Sequence, residues 1–138
     1  MTELQQIDLG NYLVKSGKLT ADQWQHVLKL KKEHDAPVPA ILVSLRFLSE
    51  KDILRAWLIS VGKFRFGEIL TGFDVVTEEE VQLALERQKK TGQKIGLVLL
   101  DMGFVDQSTL IRYISYQSEI SSEALDAEIS MADKFMDL

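Results

Sequence analysis

A frame of 28 to 29 residues recurs four times along the chain and limits the fold more than any other feature of the sequence. Gly10, Pro39, Gly67 and Gly96 mark one position of the frame. Thr20, Ser49, Thr77 and Asp106 mark another, and both series step by 29, 28 and 29 residues. Two landmarks in one register are the signature of a repeat architecture, in which each unit buries its apolar side only against its neighbours.

Each unit reads as a short helix, a turn and a longer helix. In the first, Leu9, Tyr12 and Leu13 share a helical face that stops near Gly17. Thr20 with Gln23 has the spacing of a capping box, and Trp24, Val27, Leu28 and Leu30 form the next apolar stripe. The second unit opens on Pro37 and Pro39, which a first helical turn tolerates, and Ser49 caps a helix with Ile53, Ala56, Trp57 and Leu58 inward. In the third, Asp74 precedes the Thr77 and Glu80 capping box, and Gly92 suits a helix stop. The fourth passes Gly103, is capped by Asp106, and carries Leu110, Tyr113 and Ile114, with the Tyr113 ring where the third unit has Ala84. Serine at 122 suits a further cap, followed by Leu125, Ile129, Ala132, Phe135 and Met136 at helical spacing.

The expected fold is therefore all-α: four tandem helical hairpins, near residues 6–34, 37–62, 65–92 and 94–120, packed as two pairs, plus a C-terminal amphipathic helix. The long helices of a pair are expected to pack on one another. Residues 1–62 form the first pair, 63–120 the second, and 121–138 an acidic terminal helix.

The second pair carries more than a packing pattern. Residues 65–88 and 94–117 each open with a cation (Arg65, Lys94), an apolar residue (Phe66, Ile95) and a glycine (Gly67, Gly96), and each closes on glutamine (Gln88, Gln117). The first pair keeps the frame without these ends: Asp8 and Pro37 replace the cations, and Lys31 and Ser60 the glutamines. Its reading is structural.

Over residues 65–117 this tandem motif resembles that of the N-terminal domain of type II secretion and type IV pilus assembly ATPases (the MshE N-terminal type), a family that binds cyclic di-GMP. Carried across position by position, the resemblance implies polar contacts from Arg65, Gln88, Lys94 and Gln117, and close backbone approach at Gly67 and Gly96. It implies apolar contacts from Phe66, Val81, Leu85, Ile95, Leu110 and Ile114. The residue types suit such a ligand, which is flat, doubly anionic and two-fold symmetric. Arginine offers two parallel donors to a phosphate or a guanine edge, glutamine offers a donor and an acceptor, and glycine lets backbone come close. Lysine at 94 is a point charge and lacks the planar fork of arginine. The Walker loop of the motor, G-x-x-x-x-G-K-[ST], occurs nowhere in the chain.

Composition narrows the alternatives. Residues 1–118 hold 15 Lys/Arg and 15 Asp/Glu, so the net charge of -5 belongs to the last twenty residues. With no basic stripe, polymeric nucleic acid is not an expected partner. There is no cysteine, His26 and His34 have no ligand set around them, and no nucleophile sits in a catalytic motif. A non-enzyme without cofactor or metal is expected. The first residues lack a secretory signal and the apolar runs are too short to span a bilayer, so a cytoplasmic protein without membrane insertion is expected. Two function classes remain: a cyclic di-GMP receptor or adaptor that signals to a protein partner, with secretion or pilus machinery as the candidate, and a nucleotide-independent structural or protein-interaction adaptor of the same fold.

Overall fold

Each of the four short helices ends on a left-handed residue: Gly17 (φ 79°), Arg46 (φ 58°), Asp74 (φ 58°) and Gly103 (φ 77°). These four again step by 29, 28 and 29 residues, a third landmark in the same register. Such a residue turns the chain so that the next helix can start three residues later. That start is capped every time. Thr20 Oγ1 accepts from the Gln23 N–H at 3.1 Å, Ser49 Oγ from Asp52 at 3.2 Å, Thr77 Oγ1 from Glu80 at 3.1 Å, and Asp106 Oδ1 from Thr109 at 2.7 Å. Hydrogen bonds from Thr109 and Ser108 hold the Asp106 carboxyl below the usual carboxylate range.

The computed structural model describes residues 1–62 and 64–136, with side chains as far as residue 123. Eight helices follow in order: α1 Glu3–Lys15, α2 Ala21–His34, α3 Val38–Ser44, α4 Glu50–Val61, α5 Phe66–Gly72, α6 Glu78–Thr91, α7 Ile95–Asp101 and α8 Gln107–Met136. The described residues include no strand, and no helix among them is long and apolar enough to cross a membrane. The all-α hairpin fold is the observed one.

Within a hairpin, the frame's glycine is where the two helices touch. A Cβ on Gly10 would meet the Trp24 ring, one on Gly67 would meet Val81, and one on Gly96 would meet Leu110. In all three the partner lies fourteen residues on. Around these contacts Leu9, Leu13, Val27, Leu42, Ile53, Ile69, Leu70 and Leu99 are fully buried. Each such side chain contributes about 1.5–3 kcal/mol of transfer free energy.

Three details differ from the expectation. The long helices do not make the main contacts within pairs. Instead α1 lies on α4, α2 on α3 and α6 on α7, so the main contacts within a pair run between the short helix of one unit and the long helix of the other, and α4 meets α8 across the pairs. Second, α1 starts earlier than its counterparts, at Glu3, because Thr2 and Gln5 form a further capping box. Its added turns tie α1 to α2 and α3: the buried Gln6 accepts from the Val38 N–H at 2.9 Å and Glu3 pairs with Lys31. Third, the chain does not break near Ser122. A serine pair on an exposed face, with no glycine or proline beside it, lets α8 continue as one helix of 30 residues. The apolar stripe expected from Leu125 to Met136 lies outside the residues whose side chains are described.

The junction of the pairs is aromatic and charged. Trp57 lies against Phe64 (ring centroids 4.9 Å apart) and Phe73 (6.3 Å), and Phe73 against Tyr113 (5.4 Å). Arg55 forks onto Glu123 at 2.8 and 2.9 Å, and Lys51 pairs with Glu119. The unusual ring of Tyr113 is fully accommodated: it is buried and its hydroxyl donates to Glu50. Burial first, then that carboxylate, push the phenol well above its ordinary value. The folded state thus keeps its proton while the unfolded chain loses it above about pH 10. Stability from this group is complete below that pH and declines as pH rises past it. Removing the hydroxyl in Tyr113→Phe is expected to cost about 1.5–3 kcal/mol at neutral pH, the usual worth of a charge-assisted hydrogen bond. The gap between the two proteins, followed by urea denaturation, should narrow above pH 10; a constant gap would show that the phenol titrates freely.

Candidate functional site

Where α5, α7 and α8 converge, the second pair leaves a groove of about 410 Å³. Its apolar walls are Phe66 from the start of α5, Ile95, Gly96 and Leu97 from α7, and Leu110 and Ile114 from α8. Its polar rim is Gln88 at the end of α6, Lys94 at the cap of α7 and Gln117 on α8. Eight of the twelve residues named from the sequence therefore meet in one place. They come from both copies of the motif, because α7 lies between α5 and α8 and brings the beginnings of both units together.

The groove is held open by the same packing that makes the fold. The Phe66 ring lies over Gly96, where a Cβ would come within 3.4 Å of it and within 3.0 Å of Leu110. Leu110 is buried, Phe66 and Ile95 are half-buried, and Ile114 is 47% exposed although it shares the apolar stripe of α8. An apolar side chain left half in water beside a polar rim is ordinary for a ligand groove and unusual for a core.

The polar groups differ in how free they are. The Gln88 amide nitrogen donates to the Gln93 carbonyl at 3.0 Å, which fixes the turn before α7 and leaves the carboxamide oxygen without a donor among the described residues. The Gln117 side chain makes no hydrogen bond among the described residues, and lines both this groove and a smaller cleft formed with Leu54, Leu58 and Phe64. Neither Lys94 nor the Arg65 guanidinium has a carboxylate partner among the described residues. Arg65 uses its backbone N–H to reach Glu68 at 3.1 Å and caps α5. Its side chain is exposed beside Phe66, outside the groove wall.

Four expected residues lie elsewhere. Arg65 and Leu85 are not part of the wall, and Gly67 and Val81 pack on each other, with a Gly67 Cβ falling 3.1 Å from Val81 Cγ1. The space above both glycines is taken by side chains of the chain itself, so close approach at Gly67 and Gly96 is used for helix packing. Leu97 is the residue missed from the sequence. Its signal was available: the other units hold Asn11, Ala40 and Glu68 at that position of the frame, and only the fourth has a large apolar side chain there.

No group of three or more His, Cys, Asp or Glu among the described residues is placed to hold a metal ion. No family model matches the chain, and no solved structure matches it. Over 57 residues, 41% of its length, the chain is 33% identical to the type IV pilus assembly ATPase PilB of Thermus thermophilus, and it spans 6% of that protein.

Proposed function

We propose that the groove between α5, α7 and α8 binds cyclic di-GMP, and that the protein is a non-enzymatic receptor or adaptor that signals to a protein of the pilus or secretion machinery. The observation that carries this reading is the convergence of both motif copies on one groove with apolar walls and a polar, cationic rim. Ile95, Leu110 and Ile114 offer a flat surface to a guanine, and Gln117 a free donor and acceptor to its edge. Lys94 and the nearby Arg65 supply positive charge for the phosphates. Similarity over 57 residues to a pilus assembly ATPase supports the class of partner.

Isothermal titration of the whole chain tests it, with GTP and cyclic di-AMP as comparison ligands. Lys94→Ala is expected to weaken cyclic di-GMP binding by about 1.5–3 kcal/mol, roughly ten- to a hundredfold, because it removes a charge-assisted contact. Gln117→Ala should weaken it less, by about 0.5–1.5 kcal/mol for a neutral hydrogen bond. Asp8→Ala, at the matching end of the first pair, should leave binding unchanged. Equal affinity for GTP, or equal sensitivity at Asp8 and Lys94, would place the site elsewhere.

A further inference from the structure

The contact that joins the two pairs has an unused half at each end of the molecule. Inside the chain, α5 seats on the first pair through Gly72, whose missing side chain leaves room for the Trp57 ring and Pro39; a Cβ there would come within 2.6 Å of the ring. The frame places the matching face of α1 at Asn11, Val14 and Lys15, and the added turns of α1 extend it with Leu4 and Ile7 at helical spacing. Leu4 is 73% exposed and Ile7 37% exposed. The residues that match Pro39, Ala40 and Trp57 in the second pair are Gly96, Leu97 and Ile114. Leu97 is 49% exposed and Ile114 47% exposed.

Stacked repeats ordinarily close their two ends with polar faces, because an open end presents the surface that the next unit would bury. Here Leu4 and Ile7 at one end and Leu97 and Ile114 at the other are left in water. We propose that a second copy of this chain is the missing neighbour: α1 of one copy seats on the α7 and α8 end of another, in the way that α5 seats on the first pair. Charge agrees with that placement: α1 carries Asp8 next to Ile7, and the receiving end carries Lys94.

The contact is heterologous, so a pair of copies keeps one free end of each kind and association continues beyond two. Leu97 and Ile114 also wall the groove, and a seated copy would exclude a ligand from it. The proposal goes beyond the nucleotide reading and is tested without nucleotide, so either can fail alone.

Sedimentation of the full chain from low to high micromolar concentration provides the test. The wild-type mass should rise with concentration. Leu4→Asp damages one end and Ile114→Asp the other, both at exposed positions that leave the core intact, and each change should weaken self-association at least about tenfold by burying a charge in the contact. An equimolar mixture of the two variants should recover a heterodimer and nothing larger, because only one good contact can form between them. A wild type that stays monomeric, variants that associate as before, or a mixture that fails to recombine would each overturn the proposal.

Discussion

Replacing Trp57 with alanine is expected to cost the fold about 3–5 kcal/mol, the range for removing a large aromatic from a packed interior. The ring is 1% exposed and touches three elements at once: Phe64 in the connection between the pairs, Gly72 on α5, and Phe73 after it. None of these can follow the ring into the space it leaves. Gly72 has no side chain to move, and Phe73 is already engaged with Tyr113. A domain of this kind is stable by about 5–15 kcal/mol in all, so the variant should unfold at a much lower urea concentration. Trp24 remains as a fluorescent reporter inside the first pair. A loss below about 1 kcal/mol would mean that the joint between the pairs contributes little, since a packed ring is worth several times that.

The second large effect is a contrast between two glycines at one position of the frame. In Gly10→Ala the new carbon would stand 2.0 to 2.3 Å from three atoms of the Trp24 ring, which is itself buried. Overpacking of this kind costs about 1–3 kcal/mol, and a rigid ring puts it at the upper end. Alanine recovers at most about 1 kcal/mol of helix propensity, so a net loss of about 2 kcal/mol is expected. In Gly67→Ala the carbon meets only Val81, its Cγ1 at 3.1 Å and its Cγ2 at 3.8 Å, and Val81 is half-buried and needs to shift by only a few tenths of an ångström. There the propensity gain offsets the crowding and the change should stay within about 0.5 kcal/mol. Urea denaturation of the two variants side by side would reveal equal losses if the hairpins were packed alike.

The order of the helices was legible because the frame is written in residues whose backbone preferences are strong. The capping residues Thr20, Ser49, Thr77 and Asp106 all cap, and Asp74 takes the left-handed turn that glycine takes at 17 and 103. The extra turns of α1 were equally available, since Thr2 and Gln5 have the same spacing as Thr20 and Gln23. They lie outside the recurring frame, with no counterpart in the other units. Ser122 misled for the opposite reason: serine favours a cap, but on an exposed helical face it interrupts nothing. The site was legible in composition and less so in geometry. Spacing tells which residues share a helical face, and it put Ile114 with Leu110 correctly. It says nothing of which faces a neighbour will cover, which is why Val81 and Gly67 were grouped with residues of a groove they do not line.

One consequence of the unbroken α8 is mechanical. The helix lines the groove with Leu110, Ile114 and Gln117, is fastened to α4 through Tyr113, Glu119 and Glu123, and continues to Met136. From Glu123, the last attachment, to Met136 the axis runs about 20 Å, so a tilt of about 10° at the groove would sweep the far end through about 3 Å. The attachments to α4 act as the fulcrum. A displacement too small to alter the hairpins would therefore be magnified at the end of the arm, by leverage alone and without any change in the chain between.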